Sequence, residues 1–453
     1  VQAFVKTYGC QMNVYDSERI QDVLLAQGYT LVSSPEEADL CILNTCHIRE
    51  KASEKIFSEV GRLRVLKKER AAQGKSTAIV VAGCVAQAEG REILKRAPVV
   101  DLVIGPQSYH LLPQHLQAVA QGERRVDIDF PTDDKFNHLA SPDKKTIRQR
   151  GVSAFLTIQE GCDKFCNFCV VPYTRGAEYS RPVTSLIEEA EHLAQAGVRE
   201  ITLLGQNVNA YHGEGPEGVW SLGKLLYRLS EIPGIERLRY MTSHPRDMHP
   251  ELIAAHGELP QVMPFLHLPI QSGSDAILKA MNRRHTVDDY RRILEDVWKV
   301  CPHIALSSDF IVGYPGETDD DFQATLNFTK EVCFASAFSF KYSPRPGTPS
   351  ADLESLFIPE SVQDERLACL QEQLQKDQLR FNHQFLNTEI PILIERINEE
   401  GRGSGRAPTG QLVYIESCAH KPGTIIPVQI THTARTHLAG SVYVGNKNVV
   451  HAL

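Results

Sequence analysis

The chain has no apolar run long enough to span a bilayer. Its first residues, Val-Gln-Ala-Phe-Val-Lys-Thr-Tyr, lack the basic segment and apolar core of a secretory signal. Secreted disulfide domains crowd their cysteines at short spacings, whereas the 11 cysteines here do not, and their number is odd. These absences point to a soluble protein of the reducing cytoplasm with no membrane association. Excess positive charge is missing as well: 48 Lys and Arg stand against 56 Asp and Glu, a formal net charge of −8. A protein that coats nucleic acid indiscriminately is thereby excluded, but a local basic surface is not. Two clusters qualify, Arg62, Arg64, Lys67, Lys68, Arg70 and Lys75 on one helical stretch, and Lys144, Lys145, Arg148 and Arg150. Taken alone, they read as a solvated helix face and a charged linker.

What is present is length and a βα rhythm. A chain of 453 residues exceeds one ordinary core, so two or three domains are expected. Short apolar stretches at 3–8, 39–44, 77–82 and 101–104 alternate with helical ones such as 16–27, which predicts a parallel sheet covered by helices over 1–121. Residues 122–150, charged and carrying Pro131 and Pro142, read as a linker. The rhythm resumes with six strands near 154–159, 199–204, 237–242, 264–268, 305–312 and 335–342. Between them lie helices such as 184–196, with Gly197 just past its end. The fold class is therefore α/β, with a central partial (β/α)6 TIM-like barrel over 151–382 that ends in a long helix at 359–386. After it, β-rich segments at 389–397, 411–416, 424–433 and 440–444 predict a small antiparallel β-barrel over 383–453.

The chemistry lies in the cysteines. Cys162, Cys166 and Cys169 form a C-x3-C-x2-C run just beyond the first barrel strand. Three thiolates can hold three irons of a cubic cluster and leave the fourth open, whereas closed electron-transfer clusters normally use four cysteines. Cys10, Cys46 and Cys84 follow three strands of the first domain, where open α/β sheets bind ligands at the strand carboxyl ends. Zinc competes for both triads, since three ligands and a water make a catalytic zinc site. Buried, inert thiols are the plain alternative, and that reading is preferred for Cys41, Cys301, Cys333, Cys369 and Cys418.

With these motifs in view, the chain resembles the radical SAM methylthiotransferases. The resemblance rests on Cys162-x3-Cys166-x2-Cys169, on Thr7-Tyr-Gly-Cys-Gln-Met-Asn13, Asn44-Thr-Cys46 and Ala82-Gly-Cys84, and on a terminal barrel similar to a TRAM domain. It implies two 4Fe–4S clusters and S-adenosyl-L-methionine as cofactors. The Cys162/Cys166/Cys169 cluster would split S-adenosylmethionine to a 5′-deoxyadenosyl radical, and the Cys10/Cys46/Cys84 cluster would carry methylated sulfur to the carbon that radical activates.

By the same resemblance, Gln206, Asn207, Ser243, His244, Gln271, Ser308, Asp309 and Arg181 would contact the cofactor. Arg175 and Glu178 would contact substrate, and Arg396, Arg402, Arg406, Lys421 and Arg435 would meet tRNA phosphates. Gly-Cys-Gln-Met-Asn resembles the tRNA-modifying branch, which implies methylthiolation of carbon 2 of N6-isopentenyladenosine at position 37, beside the anticodon. The expected partners are the anticodon stem-loop of tRNA and a small electron donor such as a flavodoxin or ferredoxin, acting on a monomer. A ribosomal-protein aspartate or a threonylcarbamoyladenosine is the alternative substrate, and an iron–sulfur carrier protein the alternative outside catalysis.

Overall fold

The computed structural model describes residues 1–47, 50–131, 135–139 and 141–443. In the first domain, parallel strands lie in the order Thr30–Leu31, Gln2–Tyr8, Leu40–Thr45, Ala78–Gly83, Leu102–Ile104 and Arg125–Asp127. Leu40–Thr45 is buried along its whole length, as expected of an apolar run in a sheet covered on both faces. On one face Cys41, Leu43, Ile79 and Val81 pack with Ile56, Val60 and Leu63 of the helix Glu50–Ala72. On the other, Ile42, Val80 and Ala82 meet Ile20 and Leu24.

The segment expected to be a linker is built into the structure. Arg125–Asp127 closes one edge of the sheet by pairing with Leu102–Ile104. Lys144–Arg150 is a helix capped by Asp143, whose Oδ1 accepts from Thr146 N at 2.7 Å. Charges that looked like tether residues have found partners: Arg150 Nη2 donates to Asp22 Oδ1 at 2.5 Å.

The second domain is an open barrel of six parallel strands, Ser153–Thr157, Glu200–Leu204, Arg237–Tyr240, Phe265–His267, Ala305–Val312 and Ser336–Lys341. The two groups of three meet where Leu238 bridges Val262. Alternate residues such as Ile201, Leu203, Leu238, Tyr240, Leu306 and Phe310 pack into the main apolar core. Helix Val183–Ala196 ends as its sequence predicts, with Gly197 left-handed at φ 105°.

Helix Glu360–His383 leads to a closed barrel ordered Glu389–Ile397, Gly403–Arg406, Leu412–Ile415, His437–Val442, Ile425–Thr433. Its pairs are antiparallel except for the parallel pair formed by Leu412–Ile415 and His437–Val442. The last strand was expected to reach Val444, which lies outside the described residues.

This small barrel docks beneath the amino ends of the larger one. Arg237 donates to the carbonyls of Arg406 and Pro391 at 2.7 and 2.9 Å. Arg239 donates to those of Pro408 and Ala407 at 2.6 and 2.9 Å. Glu200, 4% exposed, lies 3.1 Å from Arg239 and 3.8 Å from Arg237 and is their shared counter-charge. Glu200→Ala strands two buried guanidinium groups, for which the expected cost is about 3–5 kcal/mol. Urea unfolding checks this, and an unchanged midpoint would show that water reaches the clasp.

Candidate functional site

Strand register builds the first triad. Tyr8, Thr45 and Gly83 stand level on three adjacent strands, so the residues that follow them emerge at one edge. Cys10 comes two residues after Tyr8, while Cys46 and Cys84 come immediately after their strands. Two glycines permit the approach. A Cβ on Gly9, at φ +121°, would sit 2.2 Å from Cys46 Cβ, and one on Gly83, at φ +90°, would sit 2.6 Å from Thr45 O.

The neighbours of these cysteines in the motifs lock the loops together. Asn44 Nδ2 donates to Asn13 O and Ser17 Oγ, both at 2.9 Å, and Cys10 Sγ donates to Asn13 Oδ1 at 3.3 Å. A hydrogen bond from Cys46 holds the Cys10 thiol down to about 6, against the opposing effect of burial. Burial pushes Cys84 up.

The second triad lies in the loop after Gln159–Glu160, which pairs with Tyr179–Ser180. Gly161, at φ +74°, passes so close that a Cβ would lie 2.0 Å from Ala177 O. Its N–H donates to Gln206 Oε1 at 2.6 Å, and Gln159 Oε1 accepts from the N–H groups of Gln206 and Asn207. From the far side, the turn after helix Asp275–Ala280 pins the loop. Asn282 Nδ2 donates to Phe165 O at 2.9 Å, and Arg283 Nη1 donates to Cys166 Sγ at 3.5 Å. Burial pushes Cys162 up to about 11 and Cys169 up to about 12, and their neighbouring thiols add to the shift.

The two triads adjoin each other. Helix Val171–Arg175, just past Cys169, packs on helix Cys84–Glu89. Met12 and Tyr15, from the helix that Cys10 caps, pack with Phe155, Leu204 and Met241 of the barrel. Thr157 Oγ1 donates to Met12 Sδ at 3.8 Å.

The polar residues expected to contact cofactor separate into two groups. Asn207 Oδ1, Ser243 Oγ and His244 Nε2 are buried at the ends of successive strands with no hydrogen-bond partner among the described residues. Burial and the Arg283 charge keep His244 neutral by holding its pKa far down. Asn207 Nδ2 bonds Asp247, which also takes Lys164 of the cysteine loop at 2.8 Å. Gln271 sits at φ +78° and is tied by its backbone N–H to Asp309 O. Asp309 faces His267, whose Nε2 is 3.6 Å from Oδ2.

Four of the residues expected to contact cofactor or substrate are engaged by the protein itself. Ser308 is wholly buried, and its Oγ accepts from Ile270 N, because it sits on the strand face turned away from the barrel interior. Arg181 is spent on Thr157 O and Glu189, with its guanidinium 4.2 Å from the Phe136 ring centroid. Arg175 is spent on Asp16 and Glu160. Glu178, its carboxyl pushed up by burial, packs against His212 at 3.1 Å.

Arg396, Arg402, Arg406, Lys421 and Arg435 are exposed, on the small barrel beneath the amino ends of the strands. Arg402 pairs with Glu400 and Arg406 with Glu395, both at 3.3 Å. Cys369 is exposed rather than buried, since it lies on the open side of its helix. Arg283 was missed, because nothing in Met281-Asn-Arg-Arg-His285 marks a contact with a cysteine that lies 117 positions away.

Among the described residues, no group of three or more His, Cys, Asp or Glu is gathered around a point where a single metal ion would sit. A cubic cluster asks for a different arrangement, three thiols around a larger body, and both triads offer thiols alone. The donor chemistry therefore fits iron–sulfur ligation, and the three unpartnered polar atoms beside the cysteine loop fit a polar ligand.

Comparison with known families gives three consecutive matches: the uncharacterized protein family UPF0004 over residues 2–105, the radical SAM superfamily over 156–329 and the TRAM domain over 384–443. Among solved structures, the radical S-adenosylmethionine methyltransferase TsrM from Kitasatospora setae, with cobalamin and a 4Fe–4S cluster bound, is 14% identical at TM-score 0.55, over 77% of each chain. The cobalamin-dependent S-adenosylmethionine radical enzyme OxsB is 13% identical at TM-score 0.53, over 80% of this chain, which spans 56% of OxsB. At these identities the likeness establishes fold alone. The order of the three matched domains is the signature of one group of enzymes, and the chain belongs to the radical SAM methylthiotransferase family.

Proposed function

We propose that this chain methylthiolates carbon 2 of N6-isopentenyladenosine at position 37 of tRNA, as the tRNA enzyme MiaB does. The observation that carries this reading is the adjacency of the two thiol triads, one at the end of the first barrel strand and one at the edge of the neighbouring sheet. Cys162, Cys166 and Cys169 would hold one 4Fe–4S cluster, and Cys10, Cys46 and Cys84 a second. When bound, the first supplies reductive cleavage of S-adenosylmethionine, and the second supplies methylated sulfur.

The chain's own residues position these groups and keep water out. Gln159 and Gln206 fix where the cysteine loop begins, Asn282 and Arg283 hold its middle, and Lys164 ties it to Asp247. Asn207, Ser243 and His244 offer buried polar atoms to S-adenosylmethionine; neutral His244 puts no positive charge against the cofactor's sulfonium. Met12, Tyr15, Phe155, Leu204 and Met241 form a dry wall between the domains, where a reactive carbon is shielded from solvent.

The small barrel would grip RNA through Arg396, Arg402, Arg406, Lys421 and Arg435. It docks at the amino ends of the strands, whereas the Cys162/Cys166/Cys169 loop follows a carboxyl end. Such contacts position a stem without selecting the reacting base. A reducing compartment and a small electron-donor protein suit the free thiols of both triads.

Anaerobic reconstitution, counting of iron, and incubation with S-adenosylmethionine, reductant and isopentenylated anticodon stem-loop test the reading. About eight irons per chain and a 2-methylthio product are expected. Eight irons without product on that RNA, but with product on threonylcarbamoylated RNA or a ribosomal-protein peptide, would move the substrate. About four irons would remove the second cluster.

A further inference from the structure

Strand pairing decides which side chains line the inside of the larger barrel. Asp309 stands level with Phe338, and His267 stands level with Ser307. Residues level on paired strands share a face, and Phe310 points the other way, into the apolar core beneath the helices. Asp309, Phe338 and His267 therefore face inward. On the other half of the barrel Phe155 and Leu204 face inward and pack with Met12 and Cys10 of the first domain, so the same interior borders the first triad.

Two features show that this interior is built to receive something. Inward side chains of a filled barrel are packed together, yet Phe338 is 46% exposed. Its ring partner among the described residues is His267, 6.3 Å away and nearly perpendicular. The Asp309 side chain is 28% exposed, and no hydrogen bond among the described residues reaches its carboxylate oxygens. His267 Nε2 stays 3.6 Å from Oδ2, beyond hydrogen-bond range, while Nδ1 is paired with Ser307 Oγ at 3.1 Å. The other charged side chains on the inward faces of the strands are Glu200, Arg237 and Arg239, all engaged in the clasp to the small barrel. No lysine or arginine of these faces is left to balance a second anion beside Asp309.

An ionised carboxylate only accepts hydrogen bonds, and an open aromatic ring offers a stacking surface. The matching ligand is a flat heterocycle with an N–H on its edge and no negative charge there. An adenine substituted at N6 has both the ring and the N–H. Of the three substrates considered, the threonylcarbamoyl group and the ribosomal-protein aspartate carry a carboxylate, and the isopentenyl group does not. Resting on the function proposed above, we propose that Phe338 and Asp309 determine substrate specificity: Phe338 stacks on the base, Asp309 accepts its exocyclic N–H, and the Asp309 charge turns away substrates whose reacting group bears a carboxylate.

The test uses the full chain, reconstituted anaerobically, with two anticodon stem-loops, one isopentenylated and one threonylcarbamoylated. Fluorescence anisotropy measures binding of each, and kcat/KM measures methylthiolation. Asp309→Asn keeps an oxygen acceptor but loses the charge, so the preference for isopentenylated RNA is expected to fall about tenfold, chiefly by gain on the other loop. Phe338→Ala is expected to weaken both RNAs about 10- to 100-fold, and Phe338→Tyr, which keeps the ring, to restore both. An unchanged preference in Asp309→Asn would overturn the proposal. A raised Michaelis constant for S-adenosylmethionine in that variant, with the preference intact, would overturn it by returning Asp309 to the cofactor. Thermal unfolding runs in parallel, and RNA binding lost in Phe338→Ala only together with the folding transition would overturn the stacking role. A wild-type chain that methylthiolates neither RNA would defeat the proposed function itself, and the binding preference would then decide this proposal separately.

Discussion

Cys46→Ala is expected to go on cleaving S-adenosylmethionine to deoxyadenosine while making no methylthiolated RNA; Cys166→Ala is expected to make neither. The division follows from where the two thiols sit. Cys166 lies in the loop held by Gln206, Asn282 and Arg283, next to the unpartnered atoms of Asn207, Ser243 and His244. Cys46 lies in a separate domain, at the end of Leu40–Thr45, and bonds Cys10. Each substitution should cost about four of eight irons, because a cubane that has lost one of three ligands is not held. Iron analysis and quantitation of both products on the same sample provide the check. If Cys46→Ala abolished deoxyadenosine as well, the two sites would not be separable, and the division of labour would fail.

Gly9→Ala should produce the same deficit without touching a thiol. The new Cβ would overlap Cys46 Cβ at 2.2 Å, and the backbone at φ +121° is one that a side chain disfavours. Strain in such a region costs about 1–3 kcal/mol, and the strand end must shift in addition. The displaced atom belongs to a cysteine of the triad, so the loss should appear as iron, from about eight to about four per chain, with deoxyadenosine formation retained. Gly28→Ala is the control. Its φ of +79° is also strained, but nothing lies within 4 Å of its Cβ, so stability should fall slightly and iron should stay. Full iron in Gly9→Ala would mean that the close approach of Cys10 and Cys46 is dispensable.

Most strands of the two α/β domains are legible because they are apolar runs bounded by turns, a signal confined to a few residues, whereas the short edge strands Thr30–Leu31 and Arg125–Asp127 carry no such run. The first helix begins at Gln11, before the expected position, because Cys10 caps it. Gly403–Arg406 was not read as a strand at all: Gly-Ser-Gly-Arg has no β-forming side chain to announce itself. Its glycines answer a packing demand instead, since a Cβ on Gly405 would meet Leu393 O at 2.0 Å. The internal pairing of the Arg175, Glu178 and Arg181 segment is hidden from the sequence for a related reason. A charged motif beside a cysteine loop looks like a contact surface, and only the surrounding chain reveals that all three side chains are enclosed.

By itself the sequence determined the βα rhythm, the two cysteine triads and their positions at strand ends. Ligand spacing and strand periodicity are written over short stretches of chain, so they survive without coordinates. The tertiary structure alone decided that the triads adjoin, that Arg175 is shut between them, and that the TRAM barrel sits beneath the strands rather than over the cysteines. Those facts rest on contacts such as Arg175 with Asp16, 159 positions apart, and Arg239 with Pro408, 169 apart. Only when the folded chain brings such residues into a dry interior do desolvation and pairing act on them, and no local pattern encodes that.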